Sequence, residues 1–166
     1  MVDLLVTYME MVAPPRGAAL PMPIAGVSIG RETLDPADYL VLYRAVGEPL
    51  QWDQRLRMPA DELHHFLGNP ATHIYVLRVI GKSAGLCEFH GVGIPEVELT
   101  HFGLIGEFQG RKLGPYLLDT ALREIWSRAP SRVWLHTDTH DHPKAQSTYR
   151  RAAFQIYTQR VETFPD

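Results

Sequence analysis

Imidazole and carboxylate groups crowd one short stretch of the chain: within VWLHTDTHDHPKA, residues 133–145, His136, Asp138, His140, Asp141 and His142 fall in seven positions. Groups of these types ligate zinc or iron and carry protons near neutral pH. If the strand beneath them continues, His136, Asp138 and His140 share one face, because side chains alternate along a strand. That pattern suits a metal-dependent hydrolase or a metal-binding protein, although no HExxH-like pair accompanies it. A second suggestive segment is LIGEFQGRKLGPYLL, residues 104–118, read as a strand, a glycine-containing turn and a helix start. Such a turn leaves backbone N–H groups unpaired at the positive end of a helix dipole, a natural seat for phosphate. Cys87 is the only cysteine. It permits no intramolecular disulfide and, with nothing beside it in sequence to activate it, reads as buried packing.

The elements that must position these groups follow from periodicity and punctuation. Residues 2–12 read as a strand and the Pro- and Gly-rich 14–26 as a connector, with a second strand over 24–32. In LDPADYLVLYRAVGEP, Asp35 suits an N-cap, Pro36 the first helical position and Gly47 the C-terminal stop. PADELHHFLGNP is a short helix with Leu63, Phe66 and Leu67 at helical spacing, on which His64 and His65 are surface residues. Residues 72–105 hold three apolar or β-branched runs separated by Gly-Lys and by GVGIP, the pattern of an antiparallel meander. Leu113, Leu117, Leu118, Ala121, Leu122, Ile125 and Trp126 make one apolar helix face. A strand over 131–138, a short helix near Pro143 and a final strand over 154–164 complete a mixed α/β order in one domain, 1–166. A formal charge of −3 gives no general case for nucleic acid or an anionic membrane surface. A mean hydropathy of −0.14 speaks against a membrane-spanning chain. The N-terminal MVDLLVTYMEMV lacks the basic start and apolar run of a signal peptide, so a cytoplasmic protein is expected.

The run VELTHFGLIGEFQGRKLGPYLL resembles the cofactor-binding core of the GNAT superfamily of N-acetyltransferases, whose pattern is a strand, Gln/Arg-x-x-Gly-x-Gly/Ala, and a helix with Leu-Leu. Gln109, Gly114, Leu117 and Leu118 match, and Lys112 stands where the middle glycine is usual. HPKAQSTYRRAAF resembles the family's Asn-x-x-Ala-x-x-x-Tyr-x-x-x-Gly-Phe: Ala145, Tyr149 and Phe154 match, while His142 replaces Asn and Ala153 replaces Gly. The resemblance implies a mostly antiparallel sheet flanked by about four helices and splayed between its fourth and fifth strands, the fourth being the one that holds Glu98, Phe102, Gly103 and Leu104. Acetyl-CoA would lie in the notch. Its pantetheine arm would meet Phe102, Gly103 and Leu104, and its pyrophosphate the amides of Gln109, Gly110, Arg111, Lys112, Leu113 and Gly114. His142 would sit at the asparagine position that contacts pantetheine, and the small Ala145 would leave it room.

A primary amine has a pKa of about 10.4 and must lose a proton before it can attack a thioester. Glu98 occupies the strand position where several family members carry a base, and Glu88, one strand earlier, is its competitor. By strand alternation Glu96, Glu98, Thr100, Phe102 and Leu104 are expected on one face. An amide near Leu104 would meet charge on the carbonyl oxygen. Tyr149 matches the tyrosine that gives the leaving thiolate its proton. The acceptor, a small-molecule or peptide amine, would be read by residues 39–67 and by the C-terminal strands; the first region holds Tyr39, Tyr43, Trp52, Asp53, Arg55 and Arg57, which either line a pocket or cover the core. Homodimerisation is common in the family. A non-catalytic CoA-binding module, motivated by Lys112, His142 and Ala153, stands beside the enzyme and the metal protein as a third reading.

Overall fold

The computed structural model describes residues 1–165. Its elements are β1 (Val2–Met11), β2 (Val27–Arg31), α1 (Pro36–Gly47), α2 (Ala60–Gly68), β3 (His73–Val79), β4 (Lys82–His90), β5 (Glu96–Leu104), α3 (Leu113–Trp126), β6 (Arg132–Asp138), α4 (Ala145–Arg151) and β7 (Gln155–Phe164). The seven strands form one sheet in the order β2-β3-β4-β5-β6-β1-β7. Every junction is antiparallel except β5–β6. Among the described residues no helix is long and apolar enough to cross a membrane.

The two faces of the sheet bury two cores. On one, Leu113, Leu117, Leu118, Ala121, Leu122 and Ile125 of α3 pack with Met9, Cys87, Phe89, Leu99, Val133 and Leu135. On the other, Tyr39, Leu42, Tyr43 and Val46 of α1 and Leu63 and Leu67 of α2 cover Ile74, Val76 and Leu86. The start of α1 is as its sequence implies, with the Asp35 carboxylate accepting from the Asp38 N–H at 2.9 Å and Pro36 opening the helix. Its end differs. Gly47 keeps a right-handed backbone, and the left-handed residue is Gln51, φ 61, after a short 3₁₀ turn. What Gly47 supplies is space, because a Cβ there would lie 2.5 Å from the Trp52 ring.

The parallel β5 and β6 pair over three positions only, from Glu96 with Arg132 to Glu98 with Trp134. Beyond them the edge of β5 from Leu99 to Leu104 has no strand partner on the β6 side. This is the expected splay, between the fifth and sixth strands in chain order because the N-terminal β1 also enters the sheet. That strand lies between β6 and β7, antiparallel to both.

A β-bulge shapes the open edge. Glu88 pairs with His101 but Phe89 with Leu99, so Thr100 is an extra residue in β5. One inserted residue exchanges the faces on either side of it. Val97, Leu99, Phe102 and Leu104 therefore lie on the α3 side. Glu98 pairs with His90, and His101 with Glu88, on the α1 side. The expectation that Glu98 shares a face with Phe102 and Leu104 is corrected by this bulge.

At the end of α4, Ala153 has φ 84, and the Phe154 N–H bonds back to the Tyr149 carbonyl at 3.0 Å. This left-handed stop turns Phe154, 2% exposed, into the core. A left-handed residue with a Cβ is strained by about 1–2 kcal/mol, less what glycine loses in unfolded-chain entropy. Ala153→Gly is expected to raise unfolding stability by up to about 1 kcal/mol, read as an increased urea midpoint with unchanged slope.

Candidate active site

The opening between β5 and β6 holds a cleft of ≈ 400 Å³ and a larger cavity of ≈ 690 Å³. Leu50, Phe102, Asp141 and Tyr149 wall both spaces, so the two meet there.

The cleft runs over the N-terminus of α3. Gly110 and Lys112 both have positive φ, 80 and 62. The N–H groups of residues 110–114 make no backbone hydrogen bond in the loop, and a first helical turn offers them no internal acceptor. The Gln109 N–H differs from expectation, since it bonds the Gly106 carbonyl at 3.2 Å and closes a turn. Lys112, Lys144 and Arg151 put three cations on the cleft wall. Free amides, a helix N-terminus and cations together suit a diphosphate, so the residues present fit the expected acetyl-CoA. Phe102, Gly103, Leu104, Gln109, Gly110, Lys112, Leu113, Gly114, His142 and Ala145 all line this cleft. Arg111 does not; its guanidinium lies 5.9 Å from the Phe108 ring centre. Lys144 and Arg151 fall on unspecified positions of the segment HPKAQSTYRRAAF, so the motif carries no signal for them.

His142 Nδ1 accepts from the Lys144 N–H at 3.1 Å, which leaves its other nitrogen for the cleft. Tyr149 is 7% exposed and its ring packs against Phe102 and Phe154. Among the described residues its hydroxyl has no hydrogen-bond partner, and Tyr149 walls both spaces. Burial, with Asp141 and Cys87 adding to it, pushes the phenol well above its ordinary value, so it is a proton holder at neutral pH. Cys87 is fully buried and burial raises its thiol too, which makes it packing and not a nucleophile.

The two glutamates occupy unlike settings. Glu88 has no exposed surface and receives hydrogen bonds from the Tyr39 hydroxyl, the Thr100 hydroxyl, Arg55 Nη2 at 2.9 Å and His101 Nδ1 at 2.8 Å. Burial alone would raise its carboxyl, but His101 by charge and hydrogen bond, then Arg55 and Thr100, hold it well below the usual carboxylate range. Glu98 is partly exposed, 3.8 Å from His136 Nε2. Burial raises its carboxyl against the opposing charges of His136, Arg55, His101 and His90. It is not part of the cavity wall, whereas His136 is. His101 is a further wall residue; its only signal in the sequence is a lone histidine on the expected cofactor strand, next to Phe102.

The opening cluster resolves into a turn. Asp141 accepts from the Thr137 hydroxyl and from the Asp138 N–H at 2.9 Å, and Asp138 accepts from the His140 N–H at 2.8 Å. Burial, then Asp141, raises the Asp138 carboxyl. The carboxylates are thus occupied in ending β6, and among the described residues no group of three or more ligands is arranged to hold a metal ion. His64 and His65 are exposed on α2, as expected.

Residues 39–154 match the sequence model of the Acetyltransferase (GNAT) family. No curated protein matches the sequence significantly. Among solved structures, a GCN5-related N-acetyltransferase from Sphaerobacter thermophilus is 18% identical with a TM-score of 0.64, over 95% of this chain and 50% of that one. A tandem GNAT protein from the clavulanic acid biosynthesis pathway is 19% identical with a TM-score of 0.70, over 97% of this chain and 53% of that one. An aminoglycoside acetyltransferase from an uncultured soil metagenomic sample is 15% identical with a TM-score of 0.67, over 85% of this chain and 96% of that one. This chain spans about half the length of the first two, and at these identities the likeness is one of fold.

Proposed function

The chain belongs to the Acetyltransferase (GNAT) family, and from that premise we propose that it transfers the acetyl group of acetyl-CoA to a primary amine by direct attack. The observation that carries this reading is the junction of cleft and cavity at the Tyr149 phenol, which stays protonated and has no hydrogen-bond partner among the described residues. Acetyl-CoA supplies an acetyl thioester open to nucleophilic attack. The amides of residues 110–114 with Lys112, Lys144 and Arg151 would hold the diphosphate, and Phe102, Gly103, Leu104, His142 and Ala145, which line the cleft, would hold the arm. Tyr149 gives its phenolic proton to the departing sulfur. Arg111 stays outside this contact set. Lys112 keeps the left-handed turn that glycine usually makes, so its side chain adds charge without closing the loop.

The acceptor enters the larger cavity, whose wall carries Glu48, Asp138 and Asp141 against Arg44, with Asp53 paired to Arg57 at 2.6 Å. Carboxylates in this excess suit a cationic amine, as the aminoglycosides of one solved relative are. Incubating the protein with acetyl-CoA and a broad amine panel is expected to release free thiol only when an amine is present, with cationic amines favoured over neutral alcohols. Tight cofactor binding with no thiol released by any amine would reduce the chain to a cofactor-binding module. Absence of acetyl-CoA binding by calorimetry would end the reading altogether.

A further inference from the structure

A buried carboxylate, an imidazole and a phenol form a chain that ends on the wall of the acceptor cavity. Glu88 on β4 has its Oε2 2.8 Å from His101 Nδ1, and His101 Nε2 lies 3.3 Å from the Tyr43 hydroxyl. The imidazole is fixed in place. Its ring centre is 5.0 Å from that of Tyr43 and 4.8 Å from that of Trp52, and its side chain is 8% exposed. The partners also fix the tautomer. A carboxylate only accepts, so Nδ1 carries a proton, and in the neutral ring Nε2 is then the atom with the lone pair. The Tyr43 oxygen already accepts from the Arg55 N–H at 3.3 Å, which leaves its own proton to point at Nε2.

From this arrangement we propose that His101 is the base that takes the proton of the attacking amine, with Glu88 as its positioning residue. The assignment rests on the acetyltransferase reading above. The bulge at Thr100 turns His101 into the α1-side cavity while its neighbour Phe102 walls the cleft as well. The base therefore stands on the acceptor side of the junction and the acid Tyr149 at the junction itself. Glu88 has every oxygen engaged and no reach to the cavity. Glu98 sits outside the wall, 3.8 Å from His136.

The protons balance. One leaves the ammonium for His101 Nε2, directly or through the Tyr43 hydroxyl, and the imidazolium so formed faces the Glu88 carboxylate. The freed amine forms its N–C bond to the acetyl carbon as the C–S bond breaks. Tyr149 protonates the sulfur and is restored by the second proton lost from nitrogen. Ammonium and acetyl thioester give amide, thiol and one proton, which His101 passes to solvent through the open cavity.

Proton transfer by a positioned side chain typically contributes about 10²–10⁴-fold. His101→Gln and His101→Asn are expected to lower kcat by about 100-fold or more, with calorimetric acetyl-CoA affinity within about threefold of wild type. The acidic limb of the wild-type kcat/KM profile is expected to vanish. That limb is read in the field of Glu88 from β4, Tyr43 from α1, Arg55 from the α1–α2 connection and Glu98 from the same strand. In the unaltered protein, nitrogen NMR of the histidines is expected to show His101 protonated on Nδ1 and bare on Nε2, and the opposite tautomer would overturn the assignment even if both variants misfold. A wild type that turns over amines while His101→Gln keeps its rate and its limb would sink this assignment alone. Loss of the limb in Glu98→Gln, with the limb kept in His101→Gln, would transfer the role to Glu98. A wild type that turns over no amine would sink the acetyl-transfer reading, and this assignment with it.

Discussion

Glu88→Ala is expected to lower unfolding stability by about 3–5 kcal/mol, because it leaves the Arg55 guanidinium, 6% exposed, buried without its ion-pair partner. The loss falls on more than one contact. Tyr39, Thr100 and His101 all donate to the same carboxylate, so a single truncation orphans three further donors. Set against a total stability of about 5–15 kcal/mol for a domain, a loss of this size brings many such proteins near their unfolding threshold. Urea unfolding gives the measurement, and a change below about 1 kcal/mol would mean that the network contributes little to holding α1 and the Arg55 segment on the sheet. The pH dependence carries a definite sign. The folded carboxyl is held below its unfolded value of about 4.3, so its contribution is fully present above that value and is lost as pH falls below it. Stability that declines on acidification in the wild type is expected to decline less in Glu88→Gln.

The same network marks the limit of what the sequence discloses. The helices were legible because α1 opens on Asp35-Pro36 and α3 repeats apolar residues at three and four, both local patterns. The meander was legible for the same reason. The position of β1 between β6 and β7 was not, since that pairing joins residues as far apart as Val2 and Phe164 and no local pattern records it. The bulge at Thr100 defeated strict alternation, and with it the grouping of Glu98 with Phe102 and Leu104. His101 was overlooked as a consequence, because its worth lies in Glu88 and Tyr43, which are 13 and 58 residues away along the chain. Lys112 and Ala153, the departures from the family's glycines, turn out to share one cause. Both have positive φ, 62 and 84, so the glycine pattern reports backbone handedness that these two residues adopt at some strain. Motif departure at those positions therefore does not by itself argue against a working cleft.

Tyr149→Phe is expected to lower kcat by about 10²–10³-fold while leaving both acetyl-CoA affinity and unfolding stability close to wild type. The stability half of that expectation comes from the hydroxyl's lack of a partner among the described residues. Removing a hydroxyl that bonds no other described residue breaks no hydrogen bond between them, and the ring keeps its packing on Phe102 and Phe154. Affinity should hold because phenylalanine preserves the cleft wall beside Ala145 and Thr148. Turnover should not, because the group lost is the one proton donor on the wall shared by cleft and cavity whose phenol stays protonated throughout an ordinary assay range. Single-turnover kinetics on the variant separate the alternatives. A fall in kcat with unchanged KM and cofactor affinity identifies an interaction made only on the way to the transition state. A rise in KM at constant kcat would make Tyr149 a packing residue, and the thiolate would then take its proton from solvent.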